Sequence, residues 1–202
     1  YASLGLTLDL EKFDDLCDQM LFNTALPTDF ESSKSSFVLE PGDSDSAVME
    51  TSIGQGKTLV TPFHMALIAS AIANDGVLMK PYVIDRITDA EGEVVEQYEP
   101  AEYKTLLSES DASVLQEYMR YVVEEGTATK LKSDSYEAAG KTGSAEFSSS
   151  SDATHSWFVG YAHNGEKTDI AVAVIVENSG VGSEYAVPIA KQIFDAYYTW
   201  EN

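Results

Sequence analysis

The hydrophobic period changes in the last third of the chain, and that change constrains the fold more than any other feature. Glu137–Phe147, Ser156–His163 and Thr168–Glu177 alternate as strands, the second and third joined by a tight turn at Asn164-Gly165. Val187–Trp200 then returns to helical spacing, with Ile189, Ile193, Phe194, Tyr197 and Trp200 on the face expected to pack as a closing helix. Helices before and after an antiparallel β-meander predict an α+β fold, an antiparallel sheet packed with helices. At 202 residues and 44% hydrophobic content, the chain suffices for one domain with a core, or at most two small ones.

The preceding segments supply the helices. Phe13, Leu16, Cys17, Met20 and Leu21 recur at i, i+3, i+4, i+7 and i+8, which predicts an amphipathic helix over Asp9–Phe22 with Cys17 as a core thiol. From Asn23 to Ser52 the composition shifts to Ser, Asp, Pro and Gly, and a long irregular stretch is expected. Thr61-Pro62 reads as a helix start and Asn74-Asp75-Gly76 as its stop. Between them Phe63–Ala73 is apolar and small enough to be buried on most sides. Tyr82–Thr88 and Val94–Tyr98 flank Asp89-Ala90-Glu91-Gly92 as a β-hairpin. Ser108 caps a helix with Val114, Leu115, Tyr118, Met119, Val122 and Val123 on its face, ending at Gly126. The only low-complexity stretch is Ser148–Ser151.

Charge and cysteine content exclude several functions. Twelve basic against 34 acidic side chains leave a net charge of −22, which repels nucleic-acid phosphates and anionic lipid headgroups. One cysteine can form neither an internal disulfide nor a thiolate metal site. No apolar run reaches the roughly 18 residues needed to span a bilayer, and the opening residues Tyr1–Leu10 read as the middle of a structured element, so a fragment of a longer protein is expected.

Candidate chemistry concentrates in Ala138-Ala139-Gly140-Lys141-Thr142-Gly143-Ser144-Ala145-Glu146. Small residues flank one lysine, so a ligand could approach the backbone closely, and Gly143 removes a side chain that would block it. An edge strand of this kind can serve as a docking rail for an extended peptide with a carboxylate end. Lys141 offers a positive charge, Thr142 a hydroxyl, and the backbone N–H of Ser144 a donor aimed at a developing oxyanion. Gly-Lys-Thr at 140–142 and 56–58 also invites a phosphate-loop reading. That loop needs glycine at positions occupied by Ser135 and Thr51, and it must open a helix, so no nucleotide site is expected. His64 reads as a satisfied core histidine, His155 as structural and His163 as a solvated turn residue. The three are too scattered for a zinc site, and neither a metal nor a cofactor is expected. Gln55 is expected to shape a turn beneath the site.

Further residues surround this triplet. In order they are Ile53-Gly54-Gln55-Gly56, Val60-Thr61-Pro62-Phe63-His64-Met65-Ala66, Ala71-Ile72-Ala73-Asn74-Asp75-Gly76, Lys80-Pro81, Val122-Val123-Glu124-Glu125-Gly126-Thr127-Ala128 and Trp157-Phe158-Val159-Gly160-Tyr161. In this order and spacing the series resembles the transpeptidase domain of penicillin-binding proteins, most closely the monofunctional class B type, over essentially the whole chain. The resemblance implies a penicillin-binding protein/serine β-lactamase-like fold. It also implies a serine acyltransferase of peptidoglycan cross-linking that acts on the D-Ala-D-Ala end of a stem peptide and is trapped by β-lactams. The family lines one cleft with Ser-x-x-Lys, Ser-x-Asn and Lys-Thr-Gly. Only the last is present, at Lys141, Thr142 and Gly143; no serine has Lys three positions on or Asn two positions on.

Tyr1–Leu10 resembles the stretch that follows Ser-x-Asn in the family. The resemblance therefore implies that residues 1–202 are the C-terminal portion of a single transpeptidase domain, with the nucleophile upstream. It further implies Lys141 and Ser144 as catalytic contributors and Lys141, Thr142, Gly143 and Ser144 as substrate contacts. The expected partners are the stem peptide, β-lactams, the N-terminal part of the same protein and a glycosyltransferase. The expected location is the extracytoplasmic face of the bacterial membrane, through an anchor outside these residues. Two other readings share the triplet: an inactive β-lactam-binding or sensor module, and a serine β-lactamase. Gly54-Gln55-Gly56 with Thr61-Pro62 and Met65 favours the transpeptidase.

Overall fold

The computed structural model describes residues 2–40, 42–147 and 154–200, so the serine run Ser148–Ser151 lies outside the described residues. The chain opens with α1 (Ala2–Gly5), α2 (Leu10–Gln19), α3 (Asp45–Ser52) and α4 (Pro62–Ala73). It continues through β1 (Val77–Met79), β2 (Arg86–Thr88), β3 (Val94–Gln97), β4 (Glu102–Thr105) and α5 (Glu109–Glu124), then a 3-10 turn at Thr129–Leu131. β5 (Glu137–Glu146), β6 (Thr154–His163), β7 (Ile170–Val176) and α6 (Ala186–Thr199) complete it.

The central sheet has the order β5-β6-β7 and is antiparallel throughout. β5 pairs with β6 along its whole length, from Glu137 opposite His163 to Glu146 opposite Thr154. Alternation then assigns the faces. Ala138, Phe158, Ala162, Val172 and Val174 look toward α6, where they form a core with Val187, Ala190 and Phe194. Ala139 and Tyr161 look the other way, into a core with Ile72, Leu107 and Ala112 under α4 and α5. The sheet is thus covered by α6 on one face and by α4 and α5 on the other. Phe158 fits because Gly140 and Gly160 flank its ring; a Cβ at either position would overlap it.

Local signals account for the helix ends. Thr61 Oγ1 accepts from His64 N at 3.1 Å, and Pro62 needs no donor in the first turn. Ser108 caps α5 through Asp111 N at 3.1 Å. Gly76, at φ +91° and against the backbone of Leu107, turns the chain out of α4 where a Cβ could not fit. Cys17 is buried as expected; burial first, with Asp14 and Asp18 adding, pushes its thiol up to about 11, so it stays protonated.

Four expectations need correction. The stretch 23–52 contains α3, capped by Ser44 Oγ accepting from Ala47 N at 3.3 Å. Earlier in that stretch Asn23 ties its start to Phe37, its side-chain amide bracketing the Phe37 backbone with two hydrogen bonds of 3.0 Å. The closing helix buries Ala186, Val187, Ala190, Phe194 and Tyr198, while Ile189 and Ile193 are exposed, because small residues let the helix sit close to the sheet. In α5, Val114 and Tyr118 face outward and Ala112 and Val123 inward. Leu16 of α2 is likewise exposed, while Cys17 and Leu21 are buried. The hairpin forms as β2 and β3, and a second ribbon joins β1 to β4 outside it.

Candidate active site

β5 is an edge strand, and along its outer half runs a cleft of about 500 Å³. The far wall is the segment between α3 and α4, through Ile53–Gln55, Thr58 and Val60, with Met65 of α4. Its floor is β6, through Trp157 and Val159. All four residues singled out on the strand, Lys141, Thr142, Gly143 and Ser144, line this cleft.

Each offers a different group. Lys141 opposes Val159, and its Nζ donates to the carbonyl of Thr142 at 2.8 Å. It forms no ion pair among the described residues, so its charge is available to an anion. Thr142 sits one residue on and its side chain projects to the opposite face, where its hydroxyl lies 2.6 Å from that of Thr127, just past α5. Gly143 stands opposite Trp157, and a Cβ there would come within 3.2 Å of the Trp157 Cβ. The missing side chain therefore makes room for Trp157 as well as for anything approaching the strand.

Ser144 turns its hydroxyl away from the cleft to accept from Gly182 N at 3.3 Å, so only its backbone faces the cleft. Its carbonyl accepts from Gln55 Nε2 at 3.4 Å. In an antiparallel pair a residue exchanges both backbone bonds with its partner strand or neither. A carbonyl taken by Gln55 outside the sheet thus puts the Ser144 N–H on the free edge as well.

Gln55 does shape a turn, between Gly54 at φ +76° and Gly56 at φ +73°, and it also reaches across the cleft mouth to β5. Thr127, Trp157 and Gly182 were not assigned roles from sequence. The only available signal for Thr127 was its place in Gly126-Thr127-Ala128 after α5. The histidines stay out of the cleft. His64 is fully buried, with Nε2 donating to the Met20 carbonyl at 2.7 Å and Nδ1 without a partner among the described residues, so it is satisfied there at one nitrogen only. His155 stacks on Phe147 at 4.4 Å and accepts from Asn178 N at 3.0 Å, a structural role. His163 ends β6, 3.4 Å from a Glu137 carboxylate oxygen.

The family model "Penicillin binding protein transpeptidase domain" matches residues 1–195. Penicillin-binding protein 3 of Bacillus subtilis is 28% identical over 204 residues, covering 97% of this chain and 29% of that protein. Peptidoglycan D,D-transpeptidase PbpA of Mycolicibacterium smegmatis is 27% identical over 201 residues, covering 95% of this chain and 40% of that protein. The chain therefore spans well under half the length of these relatives. Among solved structures, the imipenem acyl-enzyme complex of penicillin-binding protein A from M. tuberculosis superposes with a TM-score of 0.84 at 26% identity, over 98% of this chain and 44% of that one. No helix among the described residues is long and apolar enough to cross a membrane.

Proposed function

This chain belongs to the penicillin-binding protein transpeptidase family, of the class B type, and from that membership we propose that it supplies the Lys-Thr-Gly strand of a D,D-transpeptidase of peptidoglycan cross-linking. The observation that carries the reading is the arrangement on β5: a lysine with no ion pair among the described residues, a hydroxyl pair and a backbone donor on the free edge, all at a single cleft. A stem peptide ending in D-Ala-D-Ala would lie along this edge, and a β-lactam would occupy the same place. Lys141 and the Thr142 hydroxyl would hold the terminal carboxylate through charge-assisted hydrogen bonds. The Ser144 N–H would donate to the carbonyl oxygen as it becomes an oxyanion, where a fixed donor stabilises the transition state more than the ground state.

An acyl-enzyme needs an activated serine, and no serine of the 202 is followed by Lys at the third position. In this reading residues 1–202 form the C-terminal portion of one transpeptidase domain. The nucleophile and the Ser-x-Asn group come from residues of the same protein outside them. The intact enzyme then works on the extracytoplasmic face of the bacterial membrane, where its substrate lies, alongside a glycosyltransferase that makes the strands to be joined.

Penicillin labelling of the full-length protein, followed by peptide mapping, tests this. The reading expects one stable adduct, on the serine of a Ser-x-x-Lys outside residues 1–202. Rapid hydrolytic turnover of the penicillin would make it a β-lactamase instead, and reversible binding without any adduct would make it an inactive sensor module.

A further inference from the structure

Two backbone carbonyls that β5 presents along its free edge at the cleft are already taken by side chains. Thr142 and Ser144 lie two residues apart on the strand, so their backbone groups point to the same edge. The Thr142 carbonyl accepts from Lys141 Nζ at 2.8 Å, and the Ser144 carbonyl accepts from Gln55 Nε2 at 3.4 Å. An open edge invites indiscriminate pairing with other chains, and side-chain donors seated on its carbonyls blunt it. An extended ligand that adds to this edge needs the same acceptors.

The Gln55 contact is placed so that it can yield. The backbone around it is fixed: Gln55 N donates to the Glu50 carbonyl at 2.9 Å, and Gly54 N to the Thr51 carbonyl at 3.0 Å. The side chain, by contrast, makes only the bond to Ser144 among the described residues. At 3.4 Å that bond is longer than the usual range of about 2.7 to 3.2 Å, and so weak. Its donor is a carboxamide N–H, the same group that a docked peptide would bring to this carbonyl.

Antiparallel pairing fixes which ligand group competes for the place. A residue exchanges both of its backbone bonds with one partner residue, so the ligand residue whose carbonyl takes the Ser144 N–H must send its own N–H to the Ser144 carbonyl. We propose that Gln55 is a positioning residue that occupies the Ser144 carbonyl in the empty cleft, and that the ligand's amide N–H displaces it as the ligand pairs with β5. The inference rests on the transpeptidase reading, which puts the reacting carbonyl at the Ser144 N–H. A ligand without that N–H leaves Gln55 where it is and neither gains nor loses by the exchange.

Two β-lactams make the comparison in the full-length protein. Penicillin G carries an amide N–H beside its lactam carbonyl, and imipenem carries a hydroxyethyl group in that place. Gln55→Met keeps the bulk of the side chain and loses the donor; Gln55→Asn keeps the donor and is too short to span the cleft mouth. Each variant should raise the ratio of the penicillin G to the imipenem acylation rate about three-fold, the worth of one weak neutral hydrogen bond that no longer has to be displaced. Circular dichroism establishes that both variants are folded. A ratio that is unchanged or lowered in both, with labelling intact, overturns the role of Gln55 alone, because the side chain would then act only as bulk at the cleft mouth. A ratio raised in one variant only overturns it as well, since size or polarity and not the bond would be responsible. Absence of any adduct on the parent protein with either compound overturns the transpeptidase reading, and this inference with it.

Discussion

Lys141 and His64 show how position on the scaffold decides what a titratable residue does. Lys141 stands exposed on an edge strand and, among the described residues, bonds only a backbone carbonyl, so removing it disturbs little of the fold. In the full-length protein Lys141→Ala should slow penicillin acylation by about 10- to 100-fold, the worth of a charge-assisted hydrogen bond. The change in stability should stay within about 0.5 kcal/mol, as for other surface substitutions. Acylation rate and thermal midpoint measured together check this; a parallel fall in both makes Lys141 a structural residue. His64 is the opposite case. Burial lowers its pKa below the ordinary 6.5, although the Met20 carbonyl pulls the other way. The unfolded chain therefore takes up the proton first as pH falls. The stability that neutral His64 supports is complete above 6.5 and is lost progressively below it. The denaturation midpoint should fall between pH about 7 and about 5, and His64→Gln, which keeps a donor for Met20, should flatten that fall. An unchanged slope in the variant would assign it to other groups.

Elements were legible in the sequence where one local signal decides them and obscure where a distant partner does. Thr61-Pro62 and Ser108 mark their helices because capping is settled within four residues. The three long strands of the sheet announce themselves by alternation, and each falls within two residues of its expected ends. Helix α3 hid in a stretch of turn-forming residues, because its start depends on Ser44 and its packing on α1 across the chain. The β1–β4 ribbon hid because strands of three and four residues carry almost no periodicity. In α6 the large residues drew the predicted face toward Ile189 and Ile193, whereas close approach to the sheet is set by Ala186 and Ala190. The site divides the same way. Its strand was readable from residues 138–146, but Gln55 lies 89 positions from Ser144 and Thr127 15 from Thr142, with nothing local to join them. The Thr127 pair links the end of α5 to the rail, which predicts a consequence. If Thr127 donates to Thr142, the Thr142 proton is left for a ligand carboxylate. Thr127→Val should then weaken acylation of the full-length protein by carboxylate-bearing β-lactams about five-fold, one lost neutral hydrogen bond, while Thr127→Ser restores it. Equal loss in both variants would show that packing, and not the hydroxyl, matters there.

For the molecule as a whole, the sheet, its two helical layers and the Lys-Thr-Gly edge are assembled within residues 2–200, yet the chemistry assigned to that edge requires a group that no local sequence here specifies. Covalent capture of a β-lactam requires an alkoxide equivalent, which means a base within hydrogen-bond reach of the hydroxyl. Among the serines at the cleft, Ser144 directs its hydroxyl to Gly182 N, away from Lys141. The buried Ser35 and Ser156 are committed to the backbone: Ser35 Oγ accepts from Thr61 N at 3.0 Å, and Ser156 Oγ bonds Val181 O and Ala186 N at the same distance. A polypeptide of these 202 residues, incubated alone with excess penicillin, should therefore keep its intact mass. Reversible occupancy of the cleft is a separate matter, since Lys141 still offers its charge, and it would appear as ligand-dependent protection of β5 amides from hydrogen exchange. Intact-mass spectrometry after an hour separates the two. A stoichiometric adduct mapped to any serine of this chain would mean that an activating base lies within it, and would move the nucleophile from outside residues 1–202 to inside them.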